Sequence, residues 1–439
     1  MSNFILDNAL VLTMDDQFTM VAGGAVAVRA GQIAAVGPSA QVVEQFPLWT
    51  RYDLQGRVLM PGLINCHTHL PMSLFRGLAD DKELMDWLNN YIFPAEAATL
   101  NEDFVRTGTA LSVWEMLRGG TTTVVDMYMF EKVVAKECAR IGMRGVFGQA
   151  MIDFPTPEYK TWEESLEGTR EFIQSWKGHP LIIGAVGPHA PYTVSPEHLQ
   201  ECHRLAEELD APLVIHLCET RAEVDLIRDR HGRTPVDHLD HLGCLSKRLV
   251  TAHMVWPQDS EISKLAAHGV GVGHCPQSNA KLACGIAPVV KMLQAGVHVG
   301  LGTDGCASNN DLDMWQEMQT ANLLQKLSCN SSTVMTARDT LHLATLGGAR
   351  AAHLDHLVGS LEVGKRADMI VVRLDSPHQT PVFDPISQLC YTTKSTDVTQ
   401  VYIEGQLVMS DGNVPAIEEA ELRLAVAAEA ERVQAILRR

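Results

Sequence analysis

The sequence predicts an α/β fold, a (β/α)₈ TIM-type barrel with a small β-sandwich domain formed by both ends of the chain. Apolar runs recur eight times in the middle of the chain, and the stretches between them have helical length and spacing. Both ends of the chain have a different, β-rich composition. A chain of 439 residues is also too long for one ordinary core, so we expect one large domain and one smaller domain.

The small domain is predicted from residues 1–57 and 361–415. These parts of the chain hold short β-type segments separated by Asp and Gly residues, which are typical of turns. The segments are residues 4–13, 24–36, 367–372 and 398–408. Residues 416–439 are rich in Ala, Glu, Leu and Arg, which predicts a C-terminal helix.

The barrel is predicted from residues 58–360. Its eight apolar runs are residues 58–64, 122–125, 145–151, 181–186, 212–217, 249–255, 270–274 and 297–302. Helical stretches separate them, for example residues 102–118, 195–209 and 313–327. In such a barrel the active site lies at the C-terminal ends of the strands.

Charge and cysteine content narrow the class of protein. The formal net charge is −18, and no basic cluster offsets it, which argues against a nucleic-acid or anionic-membrane partner. The ten cysteines are scattered without a CxxC pair, as expected for reduced thiols in a cytoplasmic protein. The N-terminus lacks the features of a signal peptide, and no run approaches the roughly 20 apolar residues of a membrane helix.

Metal-binding residue types stand where the predicted strands end. His67 and His69 end the first strand, and because alternate residues of a strand point to the same side, both imidazoles can reach one point. His216, His253 and Asp304 end three further strands. Three of these four imidazoles together with the carboxylate would suit zinc, so the sequence predicts a metal site at the barrel mouth.

This ligand set predicts hydrolytic chemistry. A zinc site of this kind leaves one position for water, and the metal lowers the pKa of that water to roughly 7. Glu219 follows His216 by three residues and lies just beyond a strand end, where a carboxylate can carry protons between water and substrate.

The chain resembles the amidohydrolase superfamily over nearly its whole length, and within it is most similar to the 5-methylthioadenosine/S-adenosylhomocysteine deaminases. The motifs that carry the resemblance are residues 61–69 (PGLINCHTH), 74–77 (LFRG), 187–192 (GPHAPY), 216–220 (HLCET), 274–282 (HCPQSNAKL) and 302–305 (GTDG). The implied activity is hydrolytic deamination of the adenine ring, giving the hypoxanthine nucleoside and ammonia.

The resemblance also implies roles for individual residues. The implied metal ligands are His67, His69, His216 and Asp304. Glu219 would protonate N1 of the purine as hydroxide adds to C6, and His253 would orient the attacking water. Asp304 would in addition deliver a proton to the departing amine.

Substrate contacts follow from the same resemblance. Glu96 would accept hydrogen bonds from the ribose hydroxyls, Trp87 would pack on the nucleoside, and His189 would hydrogen-bond the substrate. Two-metal relatives use a carboxylated lysine, commonly at the end of strand 4, where this chain has none, so one divalent metal per subunit is expected. Gln149 stands after strand 3, where some relatives place arginines for the homocysteine carboxylate. The resemblance also implies a homo-oligomer, because members of the family are commonly oligomeric.

The sequence leaves several alternatives open. Related barrels deaminate adenosine, guanine or cytosine or remove chloride from s-triazines, and some relatives are non-catalytic scaffolds. The native metal, zinc or iron, and the ranking of 5′-methylthioadenosine, S-adenosylhomocysteine and adenosine also stay open.

Overall fold

The protein contains two eight-stranded sheets, in a computed structural model that describes residues 3–438. One is a parallel barrel and the other is a separate terminal sheet. The strands are β1 (Phe4–Leu12), β2 (Met20–Arg29), β3 (Gln32–Pro38), β4 (Thr50–Asp53), β5 (Val58–Pro61), β6 (Leu63–Thr68), β7 (Thr121–Tyr128), β8 (Arg144–Met151), β9 (Ile182–Pro188), β10 (Leu213–Leu217), β11 (Leu249–His253), β12 (Gly271–His274), β13 (His298–Leu301), β14 (Met369–Val372), β15 (Val398–Ile403) and β16 (Gln406–Ser410).

Helices fill most of the intervals between the barrel strands. They are α1 (Ser39–Gln45), α2 (Leu84–Trp87), α3 (Phe93–Thr99), α4 (Glu102–Gly119), α5 (Glu131–Ile141), α6 (Trp162–Ser175), α7 (Pro196–Leu209), α8 (Arg221–His231), α9 (Pro235–His241), α10 (Asp259–His268), α11 (Pro276–Lys281), α12 (Val289–Gln294), α13 (Met314–Ser328), α14 (Ala337–Leu343), α15 (Leu346–Ala351), α16 (Pro385–Tyr391) and α17 (Glu419–Leu437). A π-helical turn, Leu88–Ile92, joins α2 to α3, and short 3₁₀ segments lie at Leu70–Phe75, Pro377–Gln379 and Ser395–Asp397. α17 packs against α3 and α4.

The barrel strands run in sequence order from β6 to β13, all parallel, which confirms the predicted (β/α)₈ fold. The end of the first barrel strand meets the segment that follows the last one. There Thr68 and Asp304 form a parallel bridge, and the Asp304 N–H donates to the His67 carbonyl over 2.9 Å. This closure brings the residues after β6 and after β13 together at one mouth.

The terminal sheet combines both ends of the chain, as predicted. Its order is β16-β15-β14-β5-β1-β2-β3, with β4 paired to the first half of β1. β1 changes neighbour along its length, from β4 to β5, and a β-bulge lies between the two halves. One apolar cluster joins residues from both parts of the sheet, which gives it a sandwich-like form.

The first apolar run, predicted as one barrel strand over residues 58–64, is in fact two strands. Val58–Pro61 belongs to the terminal sheet, where it pairs with β1 and β14. The switch occurs at Gly62, whose N–H donates to Asp368, whereas the next N–H donates to Gly120 beside the barrel. A Cβ atom at Gly62 would lie 2.1 Å from the Thr122 hydroxyl oxygen, so the crossing needs glycine. Both strands are buried, and hydrophobicity alone therefore could not show the break.

Arg144 links the N-terminal end of the barrel to the terminal sheet through ion pairs. It lies at the N-terminal end of β8, is fully buried, and its guanidinium donates to Asp368 and Glu404 over 2.6 Å each. We expect Arg144→Ala to destabilise the protein by about 3–5 kcal/mol, because the buried carboxylate of Asp368 loses its cation and Glu404 keeps only its ion pair with Arg366. The midpoint of urea unfolding measures this. Arg106→Ala, which removes an exposed arginine with two surface ion pairs, should cost about 0–1 kcal/mol. Equal midpoints for the two variants would contradict the prediction.

Two further features concern the predicted environment of the protein. Between residues 3 and 438, none of the helices combines the length and the apolar character needed to cross a bilayer. All ten cysteines are free, and every one except Cys329 is buried.

Candidate active site

One pocket opens at the C-terminal mouth of the barrel, and it collects nearly all the residues that the sequence singled out. The predicted site residues that line it are His69, Trp87, Glu96, His189, His216, Glu219, His253 and Asp304. The remaining one, His67, is completely buried beside them, with its ring 4.7–5.3 Å from those of His69, His216 and His253.

Two histidines point their Nε2 atoms at each other. The Nδ1 atom of His69 faces the Met127 carbonyl, and that of His216 faces the His189 carbonyl at 2.8 Å. A carbonyl accepts hydrogen bonds only, so both Nδ1 atoms carry the proton and, in the neutral rings, both Nε2 atoms present lone pairs. These two Nε2 atoms are 3.2 Å apart. Two ring nitrogens at that distance need a cation beside them. Against the effect of burial, Asp304 raises the pKa of His69 to about 9, which favours a proton there, and a metal ion would take the place of that proton.

Asp304 completes this arrangement. Its Oδ1 atom lies 3.2 Å from Nε2 of His69 and 3.4 Å from Nε2 of His67. Its Oδ2 atom accepts 2.7 Å hydrogen bonds from the hydroxyls of Ser278 and Ser308. Burial alone would raise the pKa of Asp304, but the facing imidazoles hold it well below its usual range, so the carboxylate is ionised.

The donor set fits a divalent metal ion. Ligand atoms of His67, His69 and Asp304 lie within 4.8 Å of one another, and a second such group joins His67 to His216 and His253. Both ring nitrogens of His67 are buried without a hydrogen-bond partner among the described residues. The Met127 and His189 carbonyls and Oδ1 of Asn279 orient the other three rings through their Nδ1 atoms, as is usual for metal-binding histidines. Nitrogen and carboxylate donors in this number suit zinc.

Strained backbone holds three of the strand ends. Asp304 has a φ of 62°, His253 a φ of 72° and Cys218, next to Glu219, a φ of 55°. Residues other than glycine rarely adopt this left-handed conformation, and where they do, the surrounding structure must enforce it. Here it turns the polar side chains into the mouth.

Glu219 and His253 form a pair beside the metal-binding group. Oε1 of Glu219 lies 3.9 Å from Nε2 of His253, and both residues are buried. The Nδ1 atom of His253 is 3.0 Å from Oδ1 of Asn279, which fixes the orientation of the ring. Burial raises the pKa of Glu219. A carboxyl group with a raised pKa beside an oriented imidazole is suited to proton transfer.

The other wall of the pocket holds the predicted substrate contacts. One carboxylate oxygen of Glu96 accepts a 2.5 Å hydrogen bond from the Tyr128 hydroxyl, and burial raises the pKa of Glu96 to about 7. Trp87 is buried in the same wall. His189 lies 2.9 Å through Nδ1 from the Thr193 hydroxyl, and burial lowers its pKa to about 3, so the ring is neutral.

Sequence reasoning did not assign four residues that support this site. They are Tyr128, Ser278, Asn279 and Ser308, which hold Glu96, Asp304 and His253 in place. Ser278 and Asn279 stand inside the motif at residues 274–282, so a signal for them existed. Nothing local in the sequence marks Tyr128 or Ser308.

Comparisons with known proteins agree with this geometry. The sequence profile of the Amidohydrolase family matches residues 58–408, and that of an "Imidazolonepropionase-like composite domain, bacteria" matches residues 24–47. The 5-methylthioadenosine/S-adenosylhomocysteine deaminase of Syntrophobacter fumaroxidans is 48% identical, over 93% of each chain. The 5′-deoxyadenosine deaminase of Methanosarcina mazei is 41% identical, over 96% of each. A crystal structure of an adenosine deaminase from Xanthomonas campestris with bound zinc superimposes with a TM-score of 0.97, at 39% identity and 99% coverage of both chains.

Proposed function

The chain belongs to the amidohydrolase family, and from this premise we propose that it is a zinc-dependent deaminase of adenine nucleosides. It is a hydrolase that acts on a C–N bond of a cyclic amidine. Its substrates are 5′-methylthioadenosine and S-adenosylhomocysteine, whose adenine ring it converts to hypoxanthine with release of ammonia.

One observation carries the proposal. The same pocket holds a metal-binding group, a carboxyl–imidazole pair for proton transfer, and a buried carboxylate on the opposite wall. The metal-binding group and the proton-transfer pair are suited to hydrolysis. Glu96 is suited to binding the hydroxyl groups of a sugar, which favours a nucleoside as the substrate. Relatives that share 41–48% of the sequence over more than nine tenths of the chain carry nucleoside deaminase names.

His67, His69, His216 and Asp304 would hold the metal. A bound zinc ion lowers the pKa of water to roughly 7 and so makes a nucleophile available at neutral pH. Glu219 takes a proton from the attacking water and passes it to N1 of the purine. Its raised pKa suits this role, because the group must bind the proton and then release it.

His253 and Asp304 complete the proton path. With Nδ1 facing Asn279, His253 directs Nε2 toward Glu219 and orients the attacking water between them. Asp304 takes the remaining proton of the attacking water from the oxygen now bonded to C6 and delivers it to the exocyclic amine. The C6–N bond then breaks, ammonia leaves, and C6 becomes the carbonyl carbon of hypoxanthine. The hydroxyls of Ser278 and Ser308 hold its Oδ2 atom for this transfer.

The nucleoside is held by the other wall. Glu96 accepts hydrogen bonds from the ribose hydroxyls through the oxygen that Tyr128 leaves available, and Trp87 packs on the rings. His189 offers Nε2 to the substrate, because its Nδ1 atom is engaged with Thr193.

The 5′ substituent faces a largely apolar lining. Leu84, Leu88, Ile92 and Phe93 contribute to it from one segment, and Met129 from another strand end. Among the described residues, the charged groups of the pocket are carboxylates, with no lysine or arginine. A methylthio group therefore gains apolar contact, whereas the homocysteine carboxylate finds no cation. We expect a higher kcat/KM for 5′-methylthioadenosine than for S-adenosylhomocysteine.

Turnover of separate candidate substrates tests the proposal. Zinc-loaded protein is mixed with 5′-methylthioadenosine, S-adenosylhomocysteine, adenosine, guanine, cytosine or a chlorotriazine, and release of ammonia or chloride is followed beside the absorbance change from adenine to hypoxanthine. Fast turnover of the first two compounds relative to guanine, cytosine and the triazine is expected. No turnover of any adenine nucleoside would overturn the proposal. The same barrel would then act on a different class of substrate.

Glu96 predicts a pH dependence of substrate binding. Its pKa is raised to about 7, so the carboxylate that accepts the ribose hydroxyls becomes protonated as the pH falls through 7. We expect KM for 5′-methylthioadenosine to rise on acidification through this range. In Glu96→Gln, which cannot ionise, KM should be high and the same at every pH. A wild-type KM that stays constant from pH 8 to about 5.5 would contradict the assignment of Glu96.

A homo-oligomer is part of the proposal. α13 and α16 are in contact, and the surface around them exposes large apolar side chains, among them Leu327, 74% exposed, and Phe383, 92% exposed. Leu327 lies on α13 and Phe383 lies just before α16, and large exposed apolar side chains favour association where they form a continuous patch. Light scattering should give a multiple of the 48.1 kDa chain mass, and Leu327→Glu should lower it. A wild-type mass of one chain would contradict this part.

A cytoplasmic location also belongs to the proposal. Nine buried free thiols, without a disulfide among the described residues, fit a reducing compartment. Cell fractionation tests it.

A further inference from the structure

We propose that Glu223 is a positioning residue for the deamination, because its buried carboxylate holds the turn that aims Glu219 into the pocket. Glu223 does not line the pocket and touches none of the predicted metal ligands by a hydrogen bond. The inference rests on the proposed function, in which Glu219 transfers the proton.

Glu223 binds two consecutive backbone amides. Its Oε1 atom accepts the Cys218 N–H over 2.9 Å, and its Oε2 atom accepts the Glu219 N–H over 2.7 Å. Glu223 is the third residue of α8, and its own N–H donates to the hydroxyl of the N-cap Thr220. In an ordinary capping box, the third-position carboxylate accepts from the N-cap amide. Here the Glu223 carboxylate instead accepts from Glu219 and Cys218, which lie one and two residues before the N-cap Thr220.

The turn is fixed from its other side by the residues that directly follow the next barrel strand, β11. The carbonyl of Cys218 accepts the N–H groups of Val255 and Trp256 over 2.8 and 3.0 Å, and the carbonyl of Leu217 accepts that of Met254. Cys218 is therefore held at φ 55° by hydrogen bonds on both its N–H and its C=O. Because His253 precedes these donors directly, the same bonds set the separation between Glu219 and His253.

The carboxylate suits this task better than its amide. Both oxygens of Glu223 act as acceptors. The two N–H donors and the dipole of α8 favour the ionised form, against the burial that raises the pKa of Glu223 to about 7. A glutamine has one acceptor oxygen, so its amino group would face one of the two N–H groups. The turn would then lose one hydrogen bond and gain a repulsive contact between donors.

The test compares Glu223→Gln with wild type in steady-state deamination of 5′-methylthioadenosine. A displaced Glu219 should lower kcat by about 100-fold, since a 1 Å misplacement of a catalytic group has an effect of that size. KM and zinc content should change little, because the ribose contacts and the metal-binding group are elsewhere. In a Glu219→Gln background the Glu223→Gln change should have no further effect, because the group it positions is already inactive.

Glu261→Gln is the matched control. Glu261 is also a buried third-position residue of a helix, α10, where it accepts from the Gln258 N–H over 2.6 Å, and none of its hydrogen-bond partners lines the pocket. It should lower the unfolding temperature without lowering kcat. The inference is overturned if Glu223→Gln keeps wild-type kcat, or if it lowers kcat equally in both backgrounds.

A second variant guards against a folding defect. Glu223→Asp keeps the charge at the start of α8 but is one methylene too short to reach both amides, so kcat should again fall while the unfolding temperature changes less. A wild-type kcat in this variant also overturns the inference. By contrast, inactivity of the wild type on all adenine nucleosides would overturn the proposed function itself.

Discussion

Glu219→Gln is expected to lower kcat by about 10³-fold while the protein keeps its metal, because glutamine cannot take a proton from water or give it to the purine ring. The side chain keeps its shape, so the 3.9 Å approach to His253 is preserved. Ligand nitrogens and the Asp304 carboxylate are also untouched. The measurement is kcat for 5′-methylthioadenosine beside zinc content by elemental analysis.

The result separates proton transfer from metal binding. Glu219 and the metal-binding group are close enough that a loss of zinc could imitate a loss of the proton carrier. Equal zinc content in both proteins removes that explanation, and Glu261→Gln repeats the chemical change at a buried glutamate outside the pocket. Normal turnover by Glu219→Gln would show that another group carries the proton.

The positions of the four proposed metal ligands could be predicted from the sequence because each of them lies at or shortly after the end of a strand. Strand ends of a parallel barrel meet at one mouth, so position along the chain translates directly into position in space. His67, His69, His216 and Asp304 are brought together for that reason. The same logic placed Glu219 and His253 beside them.

Residues that support the site from a distance could not be found in this way. Thr220 and Glu223 form a recognisable capping pattern, yet the pattern predicts a bond to the N-cap amide and not to Cys218 and Glu219. The reach of Glu223 depends on a left-handed Cys218, which tertiary hydrogen bonds impose. Tyr128 was missed because it contacts Glu96 across 32 positions of the chain.

The boundary between the two sheets was hidden for another reason. β5 and β6 are both buried and are separated only by Gly62, so they read as one apolar run. Hydrogen-bond partners on two different sheets distinguish them, and those partners are far away in sequence. A continuous apolar run thus predicts that its residues are buried, but it does not predict the sheet to which each residue belongs.

Asp304→Asn is expected to remove both the metal and the activity. It should therefore differ in zinc content from Glu219→Gln, which keeps its metal. The Ser278 and Ser308 hydroxyls donate to Oδ2. Oδ1 accepts the Gly305 N–H over 2.8 Å, and because a backbone N–H can only donate, the amide oxygen should stay at this position while the two hydroxyls turn to accept from the amide nitrogen. The amide oxygen carries no charge, so the zinc ion loses the attraction of an anionic ligand. Zinc content should fall well below one per chain, and kcat should fall by at least about 10³-fold.

Added zinc then distinguishes the two roles of Asp304. At high zinc concentration the three histidines should recover part of the metal, but turnover should stay low, because asparagine cannot carry the second proton to the leaving amine. Asp153→Asn is the control: this carboxylate follows β8 at the same mouth, bonds to the Ser195 N–H and His198, and does not line the pocket. Recovery of full activity with zinc would leave Asp304 as a ligand only and assign the second proton transfer to another group.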